Sequence, residues 1–135
     1  MKNRFIFAVS TLMLLASCNE ARPPEEIVAE RAQARWDALI ARDYREAWKF
    51  LTPGYRETLE DFDYAAEMAR RPIQWTSAEV FRVECDEDLP RCSVQTRIEY
   101  TVPAAMPGVG SLSSRSGSVE IWLQIEGQWW YHQDS

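Results

Sequence analysis

The chain has 135 residues, 15 basic against 21 acidic, and a formal charge of −6. That length holds one domain with a core of its own. The acidic balance argues against nucleic acid or anionic lipid headgroups as the main partner. One histidine and three cysteines, with no CxxC or HExxH pattern, make no usual zinc set, and no cofactor is expected.

Lys2 and Arg4 precede an apolar run from Phe5 to Ala16, broken only by Ser10 and Thr11. A charged start followed by a short apolar run is the pattern of a secretory signal. The run is shorter than the roughly 20 residues that span a bilayer. It ends in Leu15-Ala16-Ser17-Cys18. This resembles the lipobox of bacterial lipoproteins: branched apolar, small, small, cysteine. The resemblance implies cleavage before Cys18, a diacylglycerol thioether on its sulfur and, in many bacteria, a further acyl chain such as palmitate on its amine. Each buried methylene adds about 0.8 kcal/mol to such an anchor. The expected organisation is a signal peptide over 1–17, a lipidated tether over 18–25 containing Pro23-Pro24, and a folded domain over 26–135. The domain would stand outside the cytoplasm, in the bacterial cell envelope, held at the inner or outer membrane. Loss of Lys2 and Arg4 leaves 13 basic residues against 21 acidic, a net charge of −8.

The anchor takes Cys18 and leaves Cys85 and Cys92. An exported chain meets oxidising conditions, so these two are expected to form a disulfide.

Glu25 to Arg42 reads as a helix. Val28, Ala32, Trp36, Leu39 and Ile40 form its apolar face, and the charges, Arg35 among them, fall mostly elsewhere. Asp43 stops it and caps a second helix carrying Tyr44, Ala47, Trp48 and Leu51. Thr52-Pro53 restarts helical pattern. Short helices follow to about Arg71, with Leu59, Phe62, Ala66 and Ala69 apolar, and Pro72 ends them. Four strands complete the chain. In Trp75–Cys85, Phe81, Val83 and Cys85 share one parity. In Cys92–Val102, Cys92, Val94, Ile98, Tyr100 and Val102 do. Pairing Cys85 with Cys92 sets Val83 against Val94 and Phe81 against Thr96, with both cysteines on the apolar face. Pro103–Gly117, rich in Pro, Gly and Ser, is expected to be a long loop. Ser118–Glu126 places Val119, Ile121, Leu123 and Ile125 in phase, and Glu126-Gly127 turns into Gln128–Gln133. That hairpin sets Leu123 against Trp130 and Ile121 against His132. Trp122, Trp129 and Tyr131 then share the other face.

Helices followed by antiparallel strands indicate α+β, with helices on one face of a curved sheet. The stretch Trp36-Asp37-Ala38-Leu39-Ile40-Ala41-Arg42-Asp43-Tyr44-Arg45-Glu46-Ala47-Trp48-Lys49-Phe50-Leu51-Thr52-Pro53 resembles the opening of NTF2-like (SnoaL-like, cystatin-like) domains. The closing Glu126-Gly127-Gln128-Trp129-Trp130-Tyr131 resembles their final strand. The resemblance implies a cone: a bent sheet round a long helix, with a pocket at the wide end. It carries over no catalytic residue, because no Asp/Tyr set of the ketosteroid isomerases matches here.

Tyr44, Trp48, Tyr64 and His132 are the candidate pocket residues, with Tyr55 as a further aromatic. Asp61 and Asp63, beside Glu57 and Glu60, read as a solvated acidic edge. Trp122, Trp129 and Tyr131 are a candidate interface, on the expectation that the helices cover the opposite face. Such a face would serve a homodimer or an envelope protein partner. The expected function is a non-enzymatic binding or scaffold module, anchored to the membrane and holding a small apolar ligand or a protein. The alternative is a small pocket enzyme of the SnoaL or isomerase kind that uses His132 as its base.

Overall fold

The structure, a computed structural model, describes residues 21–133. The signal peptide expected over 1–17 and the anchor expected at Cys18 lie outside the described residues. No helix among the described residues is long and apolar enough to cross a membrane.

Helix α1 runs Pro24–Ile40. Pro24 opens it, where a missing N–H costs nothing, and Glu25 and Glu26 sit in the first turn against the positive end of the helix dipole. It ends in a Schellman arrangement. Arg42 adopts a left-handed φ of 59°, its N–H bonds the Leu39 carbonyl, and the Asp43 N–H bonds the Ala38 carbonyl. The Asp43 carboxylate then accepts from the Glu46 N–H and caps α2, Tyr44–Trp48. Thus one residue ends one helix and begins the next, as its type predicts. Pro53 opens α3, Pro53–Thr58, and α4 spans Asp61–Ala69. In α4 the buried residues are Tyr64 and Met68, one turn apart, while Phe62 is 71% exposed. The expected apolar face through Phe62 is therefore displaced by two positions.

The strands β1 (Gln74–Cys85), β2 (Arg91–Pro103), β3 (Ser111–Ile125) and β4 (Gln128–His132) form one antiparallel meander in chain order. Cys85 pairs with Cys92 and forms the disulfide, and Val83 pairs with Val94, as the alternation indicates. Phe81 does not reach Thr96. A bulge between Val80 and Arg82 gives that place to Val80 and leaves Phe81 43% exposed. The Gln33 side chain meets β1 near this bulge, donating to the Ala78 carbonyl and accepting from the Val80 N–H.

Two expectations for β3 fail. Ser111–Gly117 is strand, not loop, because β2 residues 97–103 supply a continuous ladder for it. Its side chains are exposed throughout, so no apolar alternation announced it. The face is also reversed. Cys92 pairs with Trp122, so Trp122 shares the core face of Cys92, and Val119 on the other face is 69% exposed. A shift of one residue in the β2–β3 register would have exchanged the two sets. Of the two registers of β3, the one with β4 is set locally by the turn, and it holds: Ile121 pairs with His132, Trp122 with Tyr131 and Leu123 with Trp130.

The core has two parts. Val28 and Ala32 of α1 pack on Cys92, Val94, Trp122 and Trp129. Trp36, Leu39, Ala47, Leu51, Tyr64 and Met68 knit the helices together. Residues 50–52 run beside β4, with the Tyr131 N–H bonding the Phe50 carbonyl and the Thr52 N–H bonding the Tyr131 carbonyl.

The disulfide closes a short loop, and Cys92 is buried. Replacing both cysteines by alanine is expected to lower stability by about 2–3 kcal/mol from loop entropy. The urea midpoints of the oxidised protein and the double variant measure it. Equal midpoints would mean that the hairpin needs no cross-link.

Candidate functional site

Helix α1 crosses the inner face of the sheet, and the stripe Val28, Ala32, Arg35, Trp36, Leu39 faces it. Arg35 stands in the middle of this apolar stripe and is 5% exposed. Opposite it on β3 is Glu120, 4% exposed. Arg35 Nη1 donates to Glu120 Oε1 at 2.7 Å, and Trp122 Nε1 donates to Glu120 Oε2 at 3.2 Å. The guanidinium also lies 3.7 Å from the centroid of the Tyr131 ring. Burying such a pair costs several kcal/mol of hydration per ion, which attraction and added hydrogen bonds must offset. The second bond to Glu120 and the ring under Arg35 are those additions.

The pair borders a cavity of about 270 Å³ whose walls include Trp36, Tyr64, Trp75 and Tyr131. That is just under the roughly 300–1,000 Å³ of sites for drug-sized ligands. Trp36 and Trp75 meet edge to face at 6.0 Å. Two buried donors of lining residues, Arg35 Nε and Trp36 Nε1, have no hydrogen-bond partner among the described residues. Exposed Arg71 also lines the cavity, with Ser118 and Gln133. Burial raises the pKa of the Tyr64 hydroxyl above the ordinary phenol value, while the charge of Arg35 pulls the other way and loses. Among the described residues, no group of three or more His, Cys, Asp or Glu could hold a metal ion.

Of the candidate pocket residues, Tyr64 lines this cavity. Tyr44 and Trp48 pack instead against the helical core, with Trp48 Nε1 donating to the Leu59 carbonyl. His132 is exposed and pairs with Ile121, on the strand parity opposite the buried Glu120 and Trp122. The candidate interface is corrected outright. Trp122 is 0% and Trp129 6% exposed, and half-buried Tyr131 packs against them, because α1 covers that face. The open face carries Val119 and Ile125 instead. Sequence reasoning missed Arg35 and Glu120. Helical spacing did hold the signal for Arg35, which falls three residues after Ala32 and four before Leu39.

No family model matches the chain, and no curated protein matches it. Solved structures do. A SEC-C motif protein from Rhodopseudomonas palustris is 12% identical with a TM-score of 0.57, over 76% of this chain and 73% of that one. A second, from Psychrobacter arcticus, is 14% identical with a TM-score of 0.53, over 95% and 75%. A protein provisionally described as a polyketide cyclase, from Xanthomonas campestris pv. campestris, is 11% identical with a TM-score of 0.51, over 82% and 92%. At such identities the similarity speaks for fold alone. The fold is α+β, helices against a four-stranded antiparallel sheet, of the NTF2-like kind.

Two outcomes test the site. Arg35→Ala strands Glu120 in the core and is expected to cost about 3–5 kcal/mol in urea unfolding. The double variant R35M/E120Q, which removes both charges, should lose much less. Equal losses would show that the pair acts by shape alone. For Tyr64, the unfolded chain ionises first, so the contribution is whole below about pH 10 and is lost as pH rises from there toward the folded value. Tyr64→Phe should therefore show a shallower alkaline fall in stability than the parent, followed by urea midpoints between about pH 8 and pH 11.

Proposed function

We propose that this protein is a membrane-anchored lipoprotein of the bacterial envelope whose NTF2-like cavity binds a small molecule without transforming it. The lipobox resemblance at Leu15–Cys18 supports the anchor. The observation that carries the binding role is the aromatic-walled cavity itself, whose lining joins Trp36, Trp75 and Tyr131 to the exposed cation Arg71. The ligand is therefore a compact molecule with an apolar or aromatic body and a carboxylate or carbonyl head. Its body lies against Trp36 and Trp75, and its oxygens meet Arg71.

Two features support binding over catalysis. The cavity carboxylate, Glu120, has both oxygens engaged, one by Arg35 and one by Trp122. His132, on which the SnoaL-like or isomerase-like alternative depends, is exposed and does not line the cavity. A general base must come within hydrogen-bond reach of the proton it removes.

Mass spectrometry of the full-length protein, recovered in detergent from bacterial envelopes, tests both parts. Under denaturing conditions an acyl and glyceryl increment on Cys18, absent from Cys18→Ser, is expected. Under native conditions a further small increment is expected, lost in Arg71→Gln. An unmodified Cys18 in a soluble fraction would end the anchor reading. Equal native and denatured masses, unchanged by added small carboxylic acids, would end the binding reading.

A further inference from the structure

Half of the twelve arginines among the described residues find carboxylates. Arg22, Arg35, Arg45, Arg82, Arg97 and Arg115 each make an ion pair. Arg31 and Arg56 make none among the described residues, yet they come together. Arg31 projects from α1, one turn before Arg35, and Arg56 from α3. Both guanidiniums lie against the same indole, Trp130 of β4, at 5.4 and 4.7 Å from its centroid. Arg31 also lies 5.2 Å from the Phe50 ring and Arg56 5.3 Å from the Trp48 ring.

This arrangement is costly as it stands. Two cations share a half-buried, aromatic-lined place where water screens them poorly. Burial, and then the charge of Arg56, push the Arg31 guanidinium below its ordinary pKa. Arg31 Nε donates to the Trp129 carbonyl, but Arg56 Nε is buried without a partner. Rings satisfy the flat face of a guanidinium and leave its in-plane N–H groups free for oxygens. Two forks held on one indole, neither with a carboxylate partner among the described residues, suit an oxyanion, and their combined charge suits a dianion.

We propose that Arg31 and Arg56, joined through Trp130, form a binding site for a phosphate-class oxyanion, separate from the Arg35–Glu120 cavity. The acidic body repels anions at long range, so selectivity rests on these two forks rather than on a general field. The phosphate belongs either to a soluble ligand or to a lipid headgroup, and the two present the same oxygens.

The test is NMR of the arginine Nε–H and tryptophan indole signals of the full chain, titrated with inorganic phosphate. The Arg31, Arg56 and Trp130 signals should shift together and saturate, while chloride at equal ionic strength leaves them in place. Arg31→Gln and Arg56→Gln should each weaken phosphate binding by about tenfold or more. Exposed Arg91→Gln should not. Tighter binding of a soluble short-chain phosphatidylglycerol than of phosphate assigns the site to headgroups, and the reverse assigns it to a soluble phosphate. Absence of a saturable shift in the parent protein overturns the proposal without any variant. Equal binding by the parent and both glutamine variants, with their amide spectra intact, overturns it too.

Discussion

A single charged contact ties the long helix to the centre of the sheet. Arg35 reaches from α1 to Glu120 of β3, and both side chains are removed from water. An apolar residue at either position would let the helix slide or turn at little cost. A buried pair permits only the arrangement in which each charge meets the other. Trp122 and Tyr131 fall into place around it, one bonding the carboxylate and the other lying under the guanidinium. The cavity is then the space that the pair and its rings leave between α1, α4 and the sheet. Whether such a pair adds net stability over an apolar substitute is a separate matter, and buried pairs often do not. Its clearer effect here is to choose one packing.

The same helix organises both sides of the molecule. Its inner stripe makes the core, while Arg31, slightly off that stripe, reaches β4 and meets Trp130 and Phe50. The segment 50–52 closes against β4 and brings α3, with Arg56, to the same indole. Two arginines one turn apart on α1 thus serve different ends. Arg35 is neutralised within the fold. Arg31 is supported by ring faces and a carbonyl, with no described carboxylate beside it.

Much of the fold could be read from local chemistry. The helix boundaries at Asp43 and Pro53 follow from residues with strong backbone preferences, whereas Pro24, expected in the tether, opens α1 instead, and the β3–β4 hairpin follows from Glu126-Gly127. The Cys85–Cys92 hairpin follows from alternation that reaches the turn on both sides. The failures share one cause, the dependence of a strand on a distant partner. Val119, Ile121, Leu123 and Ile125 alternate as cleanly as any buried set, yet the β2 register turns them outward. Ser111–Gly117 has no apolar phase, and only its ladder with β2 makes it a strand. The site was less legible for a related reason. A charge inside an apolar stripe looks like a boundary of that stripe until its counter-charge, 85 residues away, is seen beside it.

The Gln33 amide has a consequence for how this sheet meets other chains. β1 ends the sheet, and an end strand offers bare peptide groups on which a foreign strand can grow. Gln33 offers the Ala78 carbonyl and the Val80 N–H the donor and acceptor that an incoming backbone would bring. One side chain thus occupies the middle of the border as a counterfeit strand. The bulge at Phe81 bends the border just beyond it. A fibril-forming neighbour would find only short, interrupted stretches to template on. The protein thereby resists polymerising through this border without proline or a lysine fence.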